Sequence, residues 1–283
     1  MTAMHHPAQT AVEYGNDRMT IAPLSTGFGA VIDGVRLDVT GVQLAAQLQA
    51  ALLEHGLLVI RGQHLTPEQH VQASTLFGEL ETFPHAPGQI AGLPQVFRLA
   101  SRVNEGHRDV GRYWHSDGSF RANPTPISIW HSIAVPEQGG DTLFTDLREA
   151  YRVLSEEEKG MAREVRTFHR NGVQHALVKE HPHTGEPALY INVALTAAIA
   201  NMGAGEAAEL IRHLDTHLSR PGAVYRHEWR PGDVVVADNL RVAHQATVTT
   251  PEFRRVLDRT TIAAGTAFTQ VRAANDVPEL ADA

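Results

Sequence analysis

The run Val224-Tyr225-Arg226-His227-Glu228-Trp229-Arg230-Pro231-Gly232-Asp233-Val234-Val235-Val236 carries two strand signals and the turn that joins them. Its first half alternates, and Pro231-Gly232-Asp233 is turn chemistry. The valine triplet is a β-branched run of the kind buried on both faces. Further toward the C-terminus, Arg255, Leu257, Arg259 and Thr261 share one face of an alternating stretch from Arg255 to Ile262. A core strand does not tolerate two arginines on one face unless that face lines a cavity. Both cations are therefore expected to point into a pocket.

Toward the N-terminus the same signals recur. Ile21 to Leu24, Gly29 to Ile32, Leu57 to Ile60, Ile127 to Ile133 and Thr142 to Thr145 read as short strands. Helices are fewer. Val42 to Leu53 has apolar residues at helical spacing with Gly56 placed to stop it, and Gly205 to Leu218 is amphipathic. Thr66-Pro67-Glu68-Gln69 supplies an N-cap, a proline at the first helical position and a capping-box glutamine, for a helix running to about Phe77. Ser155-Glu156-Glu157-Glu158 opens a short surface helix in the same way. Residues 81–94 are crowded with Pro and Gly and residues 101–112 are polar, so both are expected as mobile loops beside the site. The His-rich stretch from His169 to His183 also reads as a loop, and it has no carboxylate at the spacing that would make it a metal site. Short strands with a few helices, and no regular βαβ alternation, argue against a doubly wound sheet. The expected fold is mainly β with flanking helices, a two-sheet jelly roll.

No repeat or linker divides the chain, so one domain is expected over residues 19–268. A flexible polar arm (1–18) would precede it and a flexible Ala- and acid-rich tail (269–283) would follow. A net charge of −8 offers no basic footprint for nucleic acid. With no cysteine, disulfides, thiolate metal sites and cysteine nucleophiles are excluded. No apolar run approaches a membrane span, and the first twenty residues hold no apolar signal core. No membrane partner and a cytoplasmic location are expected.

Tyr113-Trp114-His115-Ser116-Asp117-Gly118-Ser119-Phe120 places an imidazole and a carboxylate one residue apart. On an extended strand, residues i and i+2 point to the same face, so His115 and Asp117 can reach one metal ion. His244, at the end of Asp238-Asn239-Leu240-Arg241-Val242-Ala243-His244, is the leading third ligand. Two histidines and one carboxylate leave adjacent positions open and are the donor set of non-heme Fe(II) oxygenases. Alone, a His-x-Asp pair among 17 histidines is more often a solvated pair. Arg255 and Arg259, eleven and fifteen residues after His244, shift that balance by offering fixed cations near the open positions.

With these residues in place, the chain resembles the taurine dioxygenase (TauD/TfdA) family of Fe(II)- and 2-oxoglutarate-dependent dioxygenases, from about Met19 to Phe268. The resemblance runs through Trp114-His115-Ser116-Asp117, Gly139-Gly140-Asp141-Thr142-Leu143-Phe144-Thr145, and His181-Pro182-His183-Thr184-Gly185 with Ala188 to Asn192. It continues through Asp238-Asn239 before His244 and Arg254-Arg255 before Arg259. It implies a double-stranded β-helix, Fe(II) on His115, Asp117 and His244, and the far carboxylate of 2-oxoglutarate on Arg255 and Thr142. Arg259 would face an anionic group of the substrate or lie beside the cosubstrate. O2 would be consumed, succinate and CO2 released, and a small anionic substrate hydroxylated, desaturated or cyclised. Halogenating relatives lack the carboxylate ligand that Asp117 provides here. Phe83 stands where taurine enzymes have a sulfonate-binding histidine, with His85 two residues on, and Leu195 replaces a pocket aromatic, which speaks against taurine itself. Those three residues, Tyr113 and the loop around Arg102 are expected to set the substrate. The resemblance also implies a homo-oligomer, a dimer or tetramer.

Two other readings stay open at this point. A jelly-roll isomerase or hydrolase using Zn or Mn would need no paired arginines and would turn over without O2. A non-catalytic protein that binds 2-oxoglutarate or another small anion would yield no succinate.

Overall fold

The predicted strand runs form strands. In chain order the elements begin with β1 (Thr10–Ala11), β2 (Thr20–Pro23), β3 (Ala30–Asp33), α1 (Val42–His55), β4 (Leu57–Ile60) and α2 (Pro67–Ser74). The next are β5 (Gln89–Ile90), β6 (Leu93–Ala100), β7 (Ile127–Ala134), β8 (Thr142–Asp146), α3 (Leu147–Arg152) and α4 (Glu156–Glu164). Then follow β9 (Arg166–His169), β10 (Gln174–Ala176), β11 (Val178–Glu180), β12 (Pro187–Leu189), β13 (Thr196–Ile199) and α5 (Ala204–Leu218). The chain closes with β14 (Val224–His227), β15 (Val234–Asp238), β16 (Val242–Ala246) and β17 (Val256–Thr261). The structure, a computed structural model, describes residues 10–11, 19–83, 88–108, 110–250 and 252–271.

Local chemistry sets the helix ends. α1 stops where Gly56 takes a left-handed backbone (φ 75°) and returns its N–H to Leu52. α2 starts on a reciprocal capping box between Thr66 and Gln69 with Pro67 in its first turn, then tightens into a short 3-10 turn over Thr75–Phe77.

A nine-stranded sheet runs in the order β1-β2-β3-β4-β15-β7-β17-β6-β5, and its pairings are antiparallel except β3 with β4. A smaller sheet, β14-β8-β16, faces it. Side chains from both sheets, among them Leu57, Val59, Trp130, Phe144, Val235, Val242 and Leu257, make the inter-sheet core. The other face of the large sheet, with Leu58, Ile60, Val234 and Val236, packs on Leu48 and Leu52 of α1 and on Phe77. That is why β4, and β15 as far as Ala237, are apolar without alternation: both of their faces are covered. The far face of the small sheet, through Ala243, packs on α3 and α5. Two facing sheets with helices outside are the jelly roll, or double-stranded β-helix, that the sequence predicts.

Four expectations change. Part of the supposed flexible arm is a strand, since Thr10 and Ala11 pair with Ile21 and Thr20. The packed chain also passes Phe268, because the Gln270 N–H donates to Gln49 Oε1 at 3.1 Å; the rest of the arm and residues 272–283 lie outside the described residues. Within 81–94, left-handed Gly88 and Gly92 turn the chain so that Gln89 and Ile90 pair with β6, so the stretch is not wholly irregular. The His-rich stretch is a set of short antiparallel pairs, β10 on β9 and β11 on β12, rather than a loop. Among the described residues no helix is long and apolar enough to cross a membrane.

Candidate active site

His115 reaches His244 by a route the two-residue strand period does not describe. It is not in a ladder strand but forms an isolated antiparallel bridge with His244 of β16. The two residues exchange N–H···O bonds of 3.1 and 2.8 Å, which sets their rings 4.1 Å apart, centre to centre. Asp117 lies in the turn that follows. Gly118 makes that turn with φ 72°, and a side chain there would run into Thr125. One donor atom from each of His115, Asp117 and His244 lies within 4.8 Å of the others, the only such grouping of three among the described residues.

The charges suit a divalent cation. His115 Nδ1 lies 2.8 Å from the Tyr113 carbonyl, which assigns its proton there and leaves Nε2 facing Asp117 at 3.9 Å. Burial pushes the His115 pKa down and that of His244 down to about 3, so both rings are neutral at pH 7. Burial opposes the charge on Asp117, but Arg259, the two histidines and the Ser128 hydroxyl outweigh it and hold the carboxyl below the usual range. Asp117 Oδ1 accepts from Arg259 Nη1 at 2.9 Å and Oδ2 from Ser128 Oγ at 2.7 Å. Asn239 holds this arrangement from behind, donating to Ser128 Oγ at 2.8 Å and accepting the Asp117 N–H at 3.4 Å. Neutral imidazoles with a fixed tautomer, and a carboxylate already ionised, are ready-made metal ligands.

Beside this cluster β17 aims Arg255, Leu257 and Arg259 into a cavity of about 210 Å³ that also holds the triad. Thr261, on the same predicted face, instead donates to Glu81 at 2.7 Å. Arg255 Nε donates to the Gly140 carbonyl at 2.7 Å, and its Nη2 lies 3.4 Å from Thr142 Oγ1. Gly140 is required here, because its φ is 75° and a Cβ would sit 2.9 Å from Arg255 Cδ. Burial pushes the Arg255 pKa down to about 10, and among the described residues no carboxylate pairs with it. A desolvated cation with no carboxylate in ion-pair range among the described residues, next to a metal-ready triad, calls for an anionic ligand.

Residues 20–261 match the family described as Taurine catabolism dioxygenase TauD, TfdA family. The chain belongs to the TauD/TfdA family. It is 31% identical to an (S)-phenoxypropionate/alpha-ketoglutarate-dioxygenase of Sphingobium herbicidovorans, covering 80% of this chain and 88% of that protein. It is 29% identical to a pentalenolactone F synthase of Streptomyces arenae, over 84% and 93% of the two chains. The crystal structure of a taurine dioxygenase from Burkholderia xenovorans superposes with a TM-score of 0.78 at 32% identity, covering 87% of this chain and 89% of that one. The protein is a 2-oxoglutarate-dependent non-heme iron dioxygenase that uses Fe(II), 2-oxoglutarate and O2 on a small-molecule substrate. The isomerase, hydrolase and binding-protein readings are not favoured.

The other residues singled out in the sequence scatter around this TauD/TfdA site. Tyr113 and Leu195 line the cavity, with Phe97, Val110 and Phe120 completing an apolar wall. Phe83 does not line it; its ring packs edge-on against Phe97, 6.0 Å away and one layer behind. His85 lies outside the described residues. Arg102 is exposed and donates to the Glu252 carbonyl at 3.3 Å, while His107 and Val110 from the same loop do reach the cavity. The four histidines of the His-rich stretch do not gather around an ion: His181 pairs with Asp238 at 2.9 Å, and His169 packs on His175. Sequence reasoning missed Ser128, Trp130 and Trp229, whose Nε1 donates to Thr142 Oγ1 at 3.0 Å. Asn239 stood inside a quoted motif, but nothing in the pattern gave it a partner.

Proposed function

We propose that the chain couples the oxidative decarboxylation of 2-oxoglutarate to hydroxylation of a small organic anion with an apolar body. In this reading His115, Asp117 and His244 hold Fe(II), and Arg255 and Thr142 hold the far carboxylate of 2-oxoglutarate. Iron, once bound, supplies the centre where O2 and the cosubstrate react to give succinate, CO2 and the oxidising equivalent for a substrate C–H bond. The carrying observation is Arg255: a desolvated guanidinium lining the cavity, which among the described residues forms no ion pair with a carboxylate, Asp141 acting on it only from beyond pairing distance.

The chain's own residues do the positioning. Tyr113, by accepting at its carbonyl, keeps the His115 ring turned toward Asp117. Phe97, Val110, Phe120 and Leu195 exclude water and offer a surface to an apolar substrate body. Arg259 spends one Nη on Asp117 and lies over the Phe97 ring at 5.1 Å, while its buried Nε has no acceptor. That unspent donor supports an anionic substrate, as does a relative named for (S)-phenoxypropionate, a carboxylate on an aryl body. The single inter-sheet core supports reading residues 19–268, extended by the paired β1 at one end and by Gln270 at the other, as one catalytic domain.

Anaerobic titration of the metal-free protein with Fe(II) and then 2-oxoglutarate tests the reading. A visible metal-to-ligand charge-transfer band is expected in the wild type and not in His115→Ala. Iron binding without the band would overturn the 2-oxoglutarate assignment. Screening carboxylic acids against their methyl esters by O2-dependent succinate release then tests the anion; equal turnover of both would overturn it.

A further inference from the structure

We propose that Trp229 is a positioning residue that makes Thr142 an obligate hydrogen-bond donor, so that the inner end of the cosubstrate pocket selects a carboxylate. The inference rests on the reading of Arg255 and Thr142 given above and adds the residue that enforces it.

The argument is a count of donors and acceptors. An indole N–H can only donate, and a guanidinium can only donate. Trp229 Nε1 is directed at Thr142 Oγ1 at 3.0 Å and Arg255 Nη2 at the same oxygen at 3.4 Å. A hydroxyl oxygen has two lone pairs and one proton. Both lone pairs are therefore occupied, and among the described residues the proton has no acceptor. Thr142 lines the cavity, so its O–H points at whatever ligand lies there. An oxygen acceptor completes the set. An amide N–H or a hydroxyl proton would meet a donor that cannot turn round, because turning would break the indole bond. Without the indole, the Thr142 hydroxyl could rotate and accept, and the discrimination would fall.

The indole is itself held. Trp229 is buried, and the His227 ring meets it edge-on at 4.4 Å and 89°. His227 is in turn held by the Tyr225 hydroxyl, 3.1 Å from its Nδ1, and its Nε2 lies 3.1 Å from the Asp233 carboxylate without hydrogen-bond alignment. Arg61 pairs with that carboxylate. The strand and turn from Val224 to Asp233 thus hold one indole N–H against one hydroxyl, and neither residue belongs to the group of three donors that could hold a metal.

The test is calorimetric binding to the Mn(II)-loaded protein, with 2-oxoglutarate compared against 2-oxovalerate, which lacks the far carboxylate. Trp229 is replaced by benzothienylalanine, which keeps the ring outline and exchanges the N–H for sulfur; Trp229→Phe serves as a second variant. The dissociation constant for 2-oxoglutarate is expected to rise about tenfold and that for 2-oxovalerate to stay unchanged, the scale of one hydrogen bond to a charged group. In a Thr142→Val background the same replacement should have no selective effect. An unchanged 2-oxoglutarate constant, an equal loss for both ligands, or a selective loss that persists in Thr142→Val would each overturn the proposal. If the wild type itself binds 2-oxovalerate as tightly as 2-oxoglutarate, the reading of Arg255 and Thr142 fails, and the proposal with it.

Discussion

The two faces of β17 carry buried polar residues next to each other in sequence, and they use them in opposite ways. Outward, Asp258 takes two hydrogen bonds from Arg98, at 2.6 and 2.8 Å, and Thr260 meets Ser74 at 2.6 Å beside His70. Asp258, Thr260 and Ser74 each have a partner within the protein, and of these groups only the buried Nδ1 of His70 is left without one. Inward, Arg255, just before the strand, forms no ion pair with a carboxylate among the described residues, and Arg259, across from Phe97 and Trp130, keeps an unpartnered Nε. A closed polar network specifies structure, whereas unspent donors around a cavity specify a ligand. Inward substitutions should therefore change binding with little effect on stability, and outward ones should do the reverse.

The largest effect expected from this contrast is at Arg255. Removing a buried charge partner costs about 3–5 kcal/mol, so Arg255→Ala should weaken 2-oxoglutarate at least a hundredfold, read from the charge-transfer titration. Its melting temperature should not fall, because a desolvated, uncompensated cation is being removed. A large loss of stability with little change in cosubstrate affinity would erase the distinction between the faces. Asp258→Ala is the mirror experiment. Asp258 is fully buried and Arg98 half-buried, so removing the carboxylate should cost less than breaking a fully buried pair, about 2 kcal/mol in urea unfolding. The Fe(II) and 2-oxoglutarate constants should not move; a tenfold change in either would show that the outer network reaches the site.

Arg259 tests the boundary between the two classes, since it has one bond inside the protein and donors left over. Arg259→Met should lower Fe(II) affinity roughly 10- to 100-fold, the range for residues that orient a metal ligand. The cause would be the loss of the cation that keeps Asp117 ionised and aimed. An unchanged metal constant with a raised substrate KM would assign Arg259 wholly to the substrate.

Most of the fold was legible because the predicted strands are short runs with their own turn chemistry, and because β4, and β15 as far as Ala237, are apolar and covered on both faces. The triad and the two arginines were legible as types at a spacing, although His115 and Asp117 share a face through a bridge and a turn rather than a strand. What could not be read is what depends on distant partners. Trp229 meets Thr142 across 87 residues, and Ser128 reaches Asp117 only because β7 passes behind the turn. The His-rich stretch looked like a loop because its histidines are polar, yet His175 and His181 find partners inside: His175 Nε2 lies 2.7 Å from the Ser119 carbonyl and its Nδ1 2.9 Å from Lys179 Nζ, and His181 Nε2 lies 2.9 Å from Asp238. Polarity predicts exposure only when no partner lies elsewhere in the chain.

The smallest expected effect belongs to the outer face and concerns acid. Burial, with His131 as a secondary cause, pushes the His70 pKa down to about 3, and its ring lies 5.6 Å from that of His131 against Ser74 and Thr260. Unfolded, the same imidazole titrates near its ordinary value of about 6.5. Between those values the unfolded chain binds a proton that the folded chain refuses, so stability is intact above about pH 6.5 and falls as pH drops toward 3. From pH 7 to 5.5 this one residue should remove on the order of 1 kcal/mol. His70→Leu should show a correspondingly smaller loss over the same interval in urea unfolding, with its Fe(II) affinity at pH 7 unchanged. His115 and His244 are also buried and neutral, but a metal ion can stabilise the folded form through them and cannot do so through His70. Mn(II) should therefore raise the unfolding midpoint of His70→Leu and wild type equally at pH 7. A His70 variant whose metal-dependent stabilisation differs from the wild type would mean that the outer face shares in the site, and the contrast between the two faces would have to be given up.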